Sequence, residues 1–153
     1  MSGPLSGMRV IEGSAFVAAP SGGMALAQLG AEIIRFDPIG GGLDHQRWPL
    51  THDGVSLYWA GLNKGKKSIQ VDLRSGEGQE LLQELITAPG EDAGYFLTNF
   101  PAKDWLSYDN LRQRREDLIM LNVLGNHDGT TALDYTVNAA MGSPAVTGPK
   151  GFD

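Results

Sequence analysis

MRVIEGSAFVAAPSGGMALAQLGAEIIRF, residues 8–36, carries the pattern on which the fold turns. MRVIE (8–12) is a short, mostly apolar strand, and Pro20, Ser21, Gly22 and Gly23 then punctuate the chain. Residues 24–29 have the makings of a helix closed by Gly30, and AEIIRF (31–36) resumes as a second strand. Strand, helix and strand in succession are the mark of a parallel sheet covered by helices.

Outward from this unit the alternation continues. Residues 37–53 are rich in glycine, proline and polar side chains, a long loop of the kind that carries function rather than packing. Residues 57–62 predict a helical turn, and SIQVDL (68–73) alternates as a strand. Ser75 predicts an N-cap for an amphipathic helix through Leu81, Leu82, Leu85 and Ile86. GYFL (94–97) is a fourth strand. Ser107 caps an exposed helix over 108–115 with Leu111 turned inward, and LIMLNVL (118–124) is a fifth strand. The expectation is an α/β fold, a Rossmann-like open parallel sheet with flanking helices over residues 1–124. A Gly- and Pro-rich tail, 125–153, follows with one helical turn at 137–141. A nearly all-apolar fifth strand belongs where both faces of a sheet are covered. The tail is too short for that, so the cover is expected from another chain or from a missing remainder.

Composition narrows the chemistry. The 41% hydrophobic and 20% charged residues are ordinary for a globular domain, and 153 residues suffice for one core. Eighteen acidic against twelve basic side chains, a net charge of -6, argue against nucleic acid as a partner. The chain has no cysteine, hence no disulfide and no thiolate nucleophile, and His45, His52 and His127 lack metal-ligand spacing. No metal is expected. No apolar run approaches the ~18 residues of a membrane span, and residues 1–7 form no leader, so the expected location is the cytoplasm, away from membranes.

Three segments could carry chemistry. SAFVAAPSGG (14–23) is a crossover of small residues that admits a ligand close to the backbone and offers helix amides to an anion, or else is a tight turn. Asn63-Lys64-Gly65-Lys66-Lys67-Ser68 could bind a phosphate or be a solvated basic turn; it is no Walker loop, since Ala60 stands where that pattern needs glycine. Asn99-Phe100-Pro101 follows the fourth strand at the carboxyl edge of the sheet, where Phe100 could stack on a purine or simply fill the core. Asp37 ends the second strand where a dinucleotide-binding protein keeps its ribose carboxylate, but G-x-G-x-x-G is absent. Solvation at the surface explains Asp37, Asp44 and Asp72 equally well.

In combination these motifs resemble the family III CoA-transferases, over nearly the whole chain. The resemblance rests on LSGMRVIE (5–12), Ala18-Ala19-Pro20, LGAEII (29–34), the spacing of Asp44 and Arg47, and NKGKKSI (63–69) with Asp72-Leu73. Asn99-Phe100, Tyr108, Leu111, Leu118-Ile119 and Gly125 follow in order. GSAFVAAP, RFDPIGGGLD, WAGLNKGK, LTNFPA and DYTVN are most similar to an intramolecular transferase of that family. The resemblance implies an acyl-CoA substrate, with coenzyme A along the carboxyl edge touching Phe16, Val17, Ala18, Val71, Arg74, Asn99, Phe100 and Lys103. Arg74 stands where relatives often have lysine, and Pro38 where they have a CoA-contacting arginine. It further implies an aspartate that forms a mixed anhydride, CoA passing between the two carboxyl groups of one methylfumaryl (mesaconyl) skeleton, and a homodimer in the full-length family member. By register that aspartate lies beyond Asp153, so the chain is read as an N-terminal fragment without transferase activity of its own. The rival readings are a non-catalytic partner docking on a full-length homologue and a dinucleotide-binding module.

Overall fold

A computed structural model describes residues 3–148. Among them lie five strands, β1 Arg9–Gly13, β2 Glu32–Pro38, β3 Lys67–Val71, β4 Tyr95–Thr98 and β5 Ile119–Asn122. They form one parallel sheet in the order β3-β2-β1-β4-β5. The helices beside them are α1 Ala18–Gln28, α2 Leu57–Leu62, α3 Gly76–Ile86 and α4 Tyr108–Arg114, with a 3-10 turn at Asp104–Leu106. All belong to one compact unit, Met1–Val123. A second unit, Leu124–Asp153, holds α5 Asp134–Ala140 and α6 Ser143–Val146. Asp153 and the rest of 149–153 lie outside the described residues.

The chain winds outward from β1 through β2 to β3, then returns to the other side of β1 for β4 and β5. The winding therefore reverses between β1 and β4, and the crevice beyond their carboxyl ends is where open α/β sheets take ligands.

Period-2 alternation sends Ile11, Phe36 and Phe96 to one face of the sheet, where they pack with Leu82 and Ile86 of α3, Leu106 and Leu111. Val10, Ile33 and Leu97 point to the other face, against Ala19, Leu26 and Ala27 of α1. Leu82 and Ile86 are fully buried, each contributing about 1.5–3 kcal/mol. Ser75 and Ser107 cap α3 and α4 as their sequence predicts, their hydroxyls accepting from the amides of Gly78 and Asn110.

One expectation needs correction. The first helix starts at Ala18 rather than residue 24. Pro20 falls in its first turn, where a missing N–H costs no helical bond, and the helical position 23 takes glycine because the backbone there approaches a buried carboxylate. A Cβ there would lie 1.7 Å from Glu12 Oε2. The fifth strand, expected to lack part of its cover within this chain, is an edge strand and half covered: Met120 packs inward, whereas Ile119 and Leu121 are 60% and 62% exposed. They border an apolar cavity of about 290 Å³ on the α1 side of β4 and β5, with Val10, Leu26 and Leu97. No described helix is long and apolar enough to cross a membrane.

Candidate functional site

Because the strands are parallel, β1 to β4 deliver their following residues to one edge. Ala15, Pro38, Leu73 and Phe100 come from these four ends in turn and, with Gly42 and Leu43, line an apolar cleft of about 220 Å³. Hydrogen bonds fix its rim. The buried Thr98 hydroxyl donates to the Gly13 carbonyl (2.6 Å) and accepts from the Phe100 amide (3.0 Å), locking the end of β4 to the end of β1. The Asn99 side chain closes a reciprocal pair with Ala15, its Oδ1 accepting from the Ala15 amide (2.9 Å) and its Nδ2 donating to the Ala15 carbonyl (2.8 Å). Phe100 rests edge-on against Phe36, ring centroids 6.2 Å apart, and so is aimed by the core.

The crossover after β1 is held just as firmly. Phe16 has φ 65°, a left-handed conformation that costs a non-glycine residue about 1–3 kcal/mol. Its amide donates to Asp44 Oδ2 at 2.9 Å, so the loop after β2 clamps the turn from one side while Asn99 clamps it from the other. Beyond the turn Val17 is the N-cap of α1 without a side-chain cap, leaving early helix amides without intrahelical acceptors beside exposed Ala18.

Beneath the crossover lies a buried charge cluster that sequence spacing did not disclose. Arg35 donates both arms of its guanidinium to Asp37 (each 2.8 Å), and further bonds run to the Ser14 carbonyl, the Ser14 hydroxyl and Asn63 Oδ1. Asp44 and Glu12 stand 3.6 Å from the same group. Lys66 Nζ donates to Glu12 Oε1 (2.8 Å), the Pro20 carbonyl and Asn63 Oδ1. Burial opposes the charge on Arg35, but Asp37, Asp44 and Glu12 outweigh it and hold the guanidinium above its usual range. Lys66 is held below the ordinary lysine value, chiefly by burial, with the nearby Arg35 charge adding to it against the pull of Glu12. Glu12 Oε2 and Asp44 Oδ1 are buried without a hydrogen-bond partner among the described residues.

This cluster corrects three readings. Asp37 and Asp44 are 3% and 1% exposed, not solvated. Asp37 gives both oxygens to Arg35, so it has no ribose-binding role to play. The basic segment precedes β3 and so sits away from the carboxyl edge; Lys66 is inside the fold and Lys67 pairs with Glu32. Of the eight positions that the resemblance implied, Phe100 lines the cleft, and Asn99 secures its rim. Phe16, Val17 and Ala18 are exposed on the crossover, whereas Arg74 and Lys103 are exposed next to the cleft-forming stretches. Val71 is buried in the core, 7% exposed. Pro38, which the resemblance put at a CoA-contacting position, lines the cleft, while Leu43 and Thr98 join the site without having been singled out: Thr98 ends β4, and Leu43 lies in the glycine-rich loop after β2. Among the described residues no three His, Asp or Glu side chains are grouped to hold a metal.

Comparison with known proteins gives a consistent result. The pattern for CoA-transferase family III matches residues 5–152. The chain is 66% identical over 150 residues to 2-methylfumaryl-CoA isomerase of Chloroflexus aurantiacus, covering 97% of this chain and 37% of that protein. It is 39% identical to succinyl-CoA--D-citramalate CoA-transferase of the same organism, over 80% of this chain and 31% of the other. A CAIB/BAIF family protein from Brucella suis superposes with TM-score 0.86 at 26% identity, over 100% of this chain and 43% of that one. The chain thus spans less than half the length of each.

Proposed function

Because this chain belongs to CoA-transferase family III, we propose that residues 1–124 hold the coenzyme A portion of an acyl-CoA whose acyl group is a methylfumaryl-type dicarboxylic acid. The observation that carries this reading is the cleft at the carboxyl ends of β1 to β4, with the crossover and Asn99-Phe100 tied together across it. Phe100 offers its ring to the purine, Arg74 and Lys103 offer charge to the phosphates, and Phe16, Val17 and Ala18 take the thioester end near the free amides of α1. Val71 acts from below by shaping the floor.

In the reaction proposed for the complete protein, an aspartate carboxylate attacks the thioester carbonyl, the C–S bond breaks, and CoA leaves as the thiolate while a mixed anhydride forms. The thiolate attacks the aspartyl carbonyl of that anhydride, which frees the first carboxylate and leaves CoA on the aspartate. The other carboxylate of the same skeleton attacks this aspartyl thioester and expels the thiolate. The thiolate then attacks the acyl carbonyl of the second anhydride, so that CoA ends on the second carboxyl group and the aspartate is regenerated. Among the described residues Asp37 is held by Arg35, and Asp44 holds the Phe16 amide. We read these 153 residues as binding CoA without turnover.

A calorimetric titration of the chain with CoA tests this. Saturable binding that weakens about tenfold or more in Phe100→Ala is expected, since stacking on a base is worth about 1–3 kcal/mol. An absence of heat with CoA would overturn the binding role, and thioester exchange by the purified chain would overturn the inactivity. The exposed Ile119 and Leu121 favour a second reading, a non-catalytic partner covering this face against a full-length homologue. A clean monomer that ignores such a homologue in size-exclusion chromatography counts against it.

A further inference from the structure

Of the arginines with no carboxylate within 4 Å among the described residues, Arg47, Arg74 and Arg112, only Arg47 lies over two aromatic rings. Its Cζ lies 4.5 Å from the centroid of the Tyr58 ring and 5.8 Å from that of Phe16. Arg9, Arg35, Arg114 and Arg115 each have a carboxylate within 4 Å, but Arg47 has none among the described residues, and no hydrogen bond from its guanidinium is present there. In a chain with eighteen acidic side chains, an exposed arginine stacked on two rings and left without a carboxylate is a vacant fork. A guanidinium placed over ring faces keeps edge N–H groups available for the two parallel bonds that a carboxylate accepts.

Its backbone is pinned too. The Ser56 hydroxyl donates to the Arg47 carbonyl (2.5 Å) while capping α2, and Asp44, three residues earlier, clamps Phe16. The buried Tyr58 hydroxyl has no hydrogen-bond partner among the described residues.

We propose that Arg47 is a specificity-determining residue that grips the free carboxylate of a dicarboxylic acyl group while the other carboxyl is joined to CoA. This rests on the reading above that the thioester end lies along the crossover, because Phe16 belongs to both that crossover and the Arg47 platform. An acyl group of similar shape without the second carboxylate leaves the fork empty.

The test compares mesaconyl-CoA, crotonyl-CoA and CoA as ligands of the wild-type chain, Arg47→Met and Arg47→Lys, with far-UV circular dichroism confirming an unchanged fold. The wild type should bind mesaconyl-CoA about tenfold tighter than crotonyl-CoA, as charged hydrogen bonds predict. Arg47→Met should abolish that preference and leave CoA affinity unchanged, whereas Arg47→Lys, with charge but no fork, should restore it only in part. A preference that survives in Arg47→Met, or its absence from a wild type that binds CoA, would overturn the proposal. If neither CoA nor either thioester binds, the CoA reading falls alone, and mesaconate titrated by itself against Trp48 and Trp59 fluorescence decides the rest. A wild-type response lost in Arg47→Met would sustain the anion site, and no response would remove it.

Discussion

Glu12, Asp37 and Asp44 share one buried space with Arg35 and Lys66, three negative groups against two positive ones. Removing one member of such a set strands its partner, so Lys66→Met is expected to lower the unfolding free energy by about 3–5 kcal/mol in a denaturant titration. The lysine's depressed affinity for protons has its own signature. Between its folded value and the usual 10.5 the unfolded chain binds more protons, so this group makes stability rise with pH in that window. Comparing chemical melts at neutral pH and near pH 10 for wild type and Lys66→Met should reveal that slope in the first and its absence in the second. None of these pairings was legible in the sequence. Glu12 and Lys66 are separated by 54 positions, and a charge beside glycines looks the same in a linear text whether it faces water or a carboxylate.

At the level of the element, local signals were readable and crowded ones were not. Ser75 and Ser107 announced their helices because a cap acts within three residues. Ser75→Ala should accordingly cost about 1 kcal/mol in a thermal or denaturant melt. The start of α1 was hidden, since Pro20, Gly22 and Gly23 resemble punctuation until the neighbour that demands them is known. Gly23→Ala separates the two accounts. Propensity alone predicts a gain of about 1 kcal/mol for alanine inside a helix. The approach to Glu12, which is gripped by Lys66 and Ser14, predicts instead a lower Tm by differential scanning calorimetry. The three segments suspected of chemistry divided on the same ground: two lie at strand ends on the carboxyl edge, while the basic one enters β3 from the opposite end.

Across the whole of the 1–123 unit, the alternation of apolar runs made the parallel sheet legible, but strand order and the bare flank of β4 and β5 depend on contacts between distant segments. That flank should bind a hydrophobic dye such as ANS. Replacing Ile119 and Leu121 with lysine should suppress the fluorescence gain without altering far-UV circular dichroism, because both side chains already stand in water. The left-handed turn at Phe16 has a different consequence. Glycine would relax it, and Phe16→Gly should recover part of the backbone strain, yet the aromatic shelf beneath Arg47 would go with the ring. Endurance and selectivity thus pull this position in opposite directions, and a lineage selected only for heat tolerance would be expected to drift towards a sturdier, less discriminating protein.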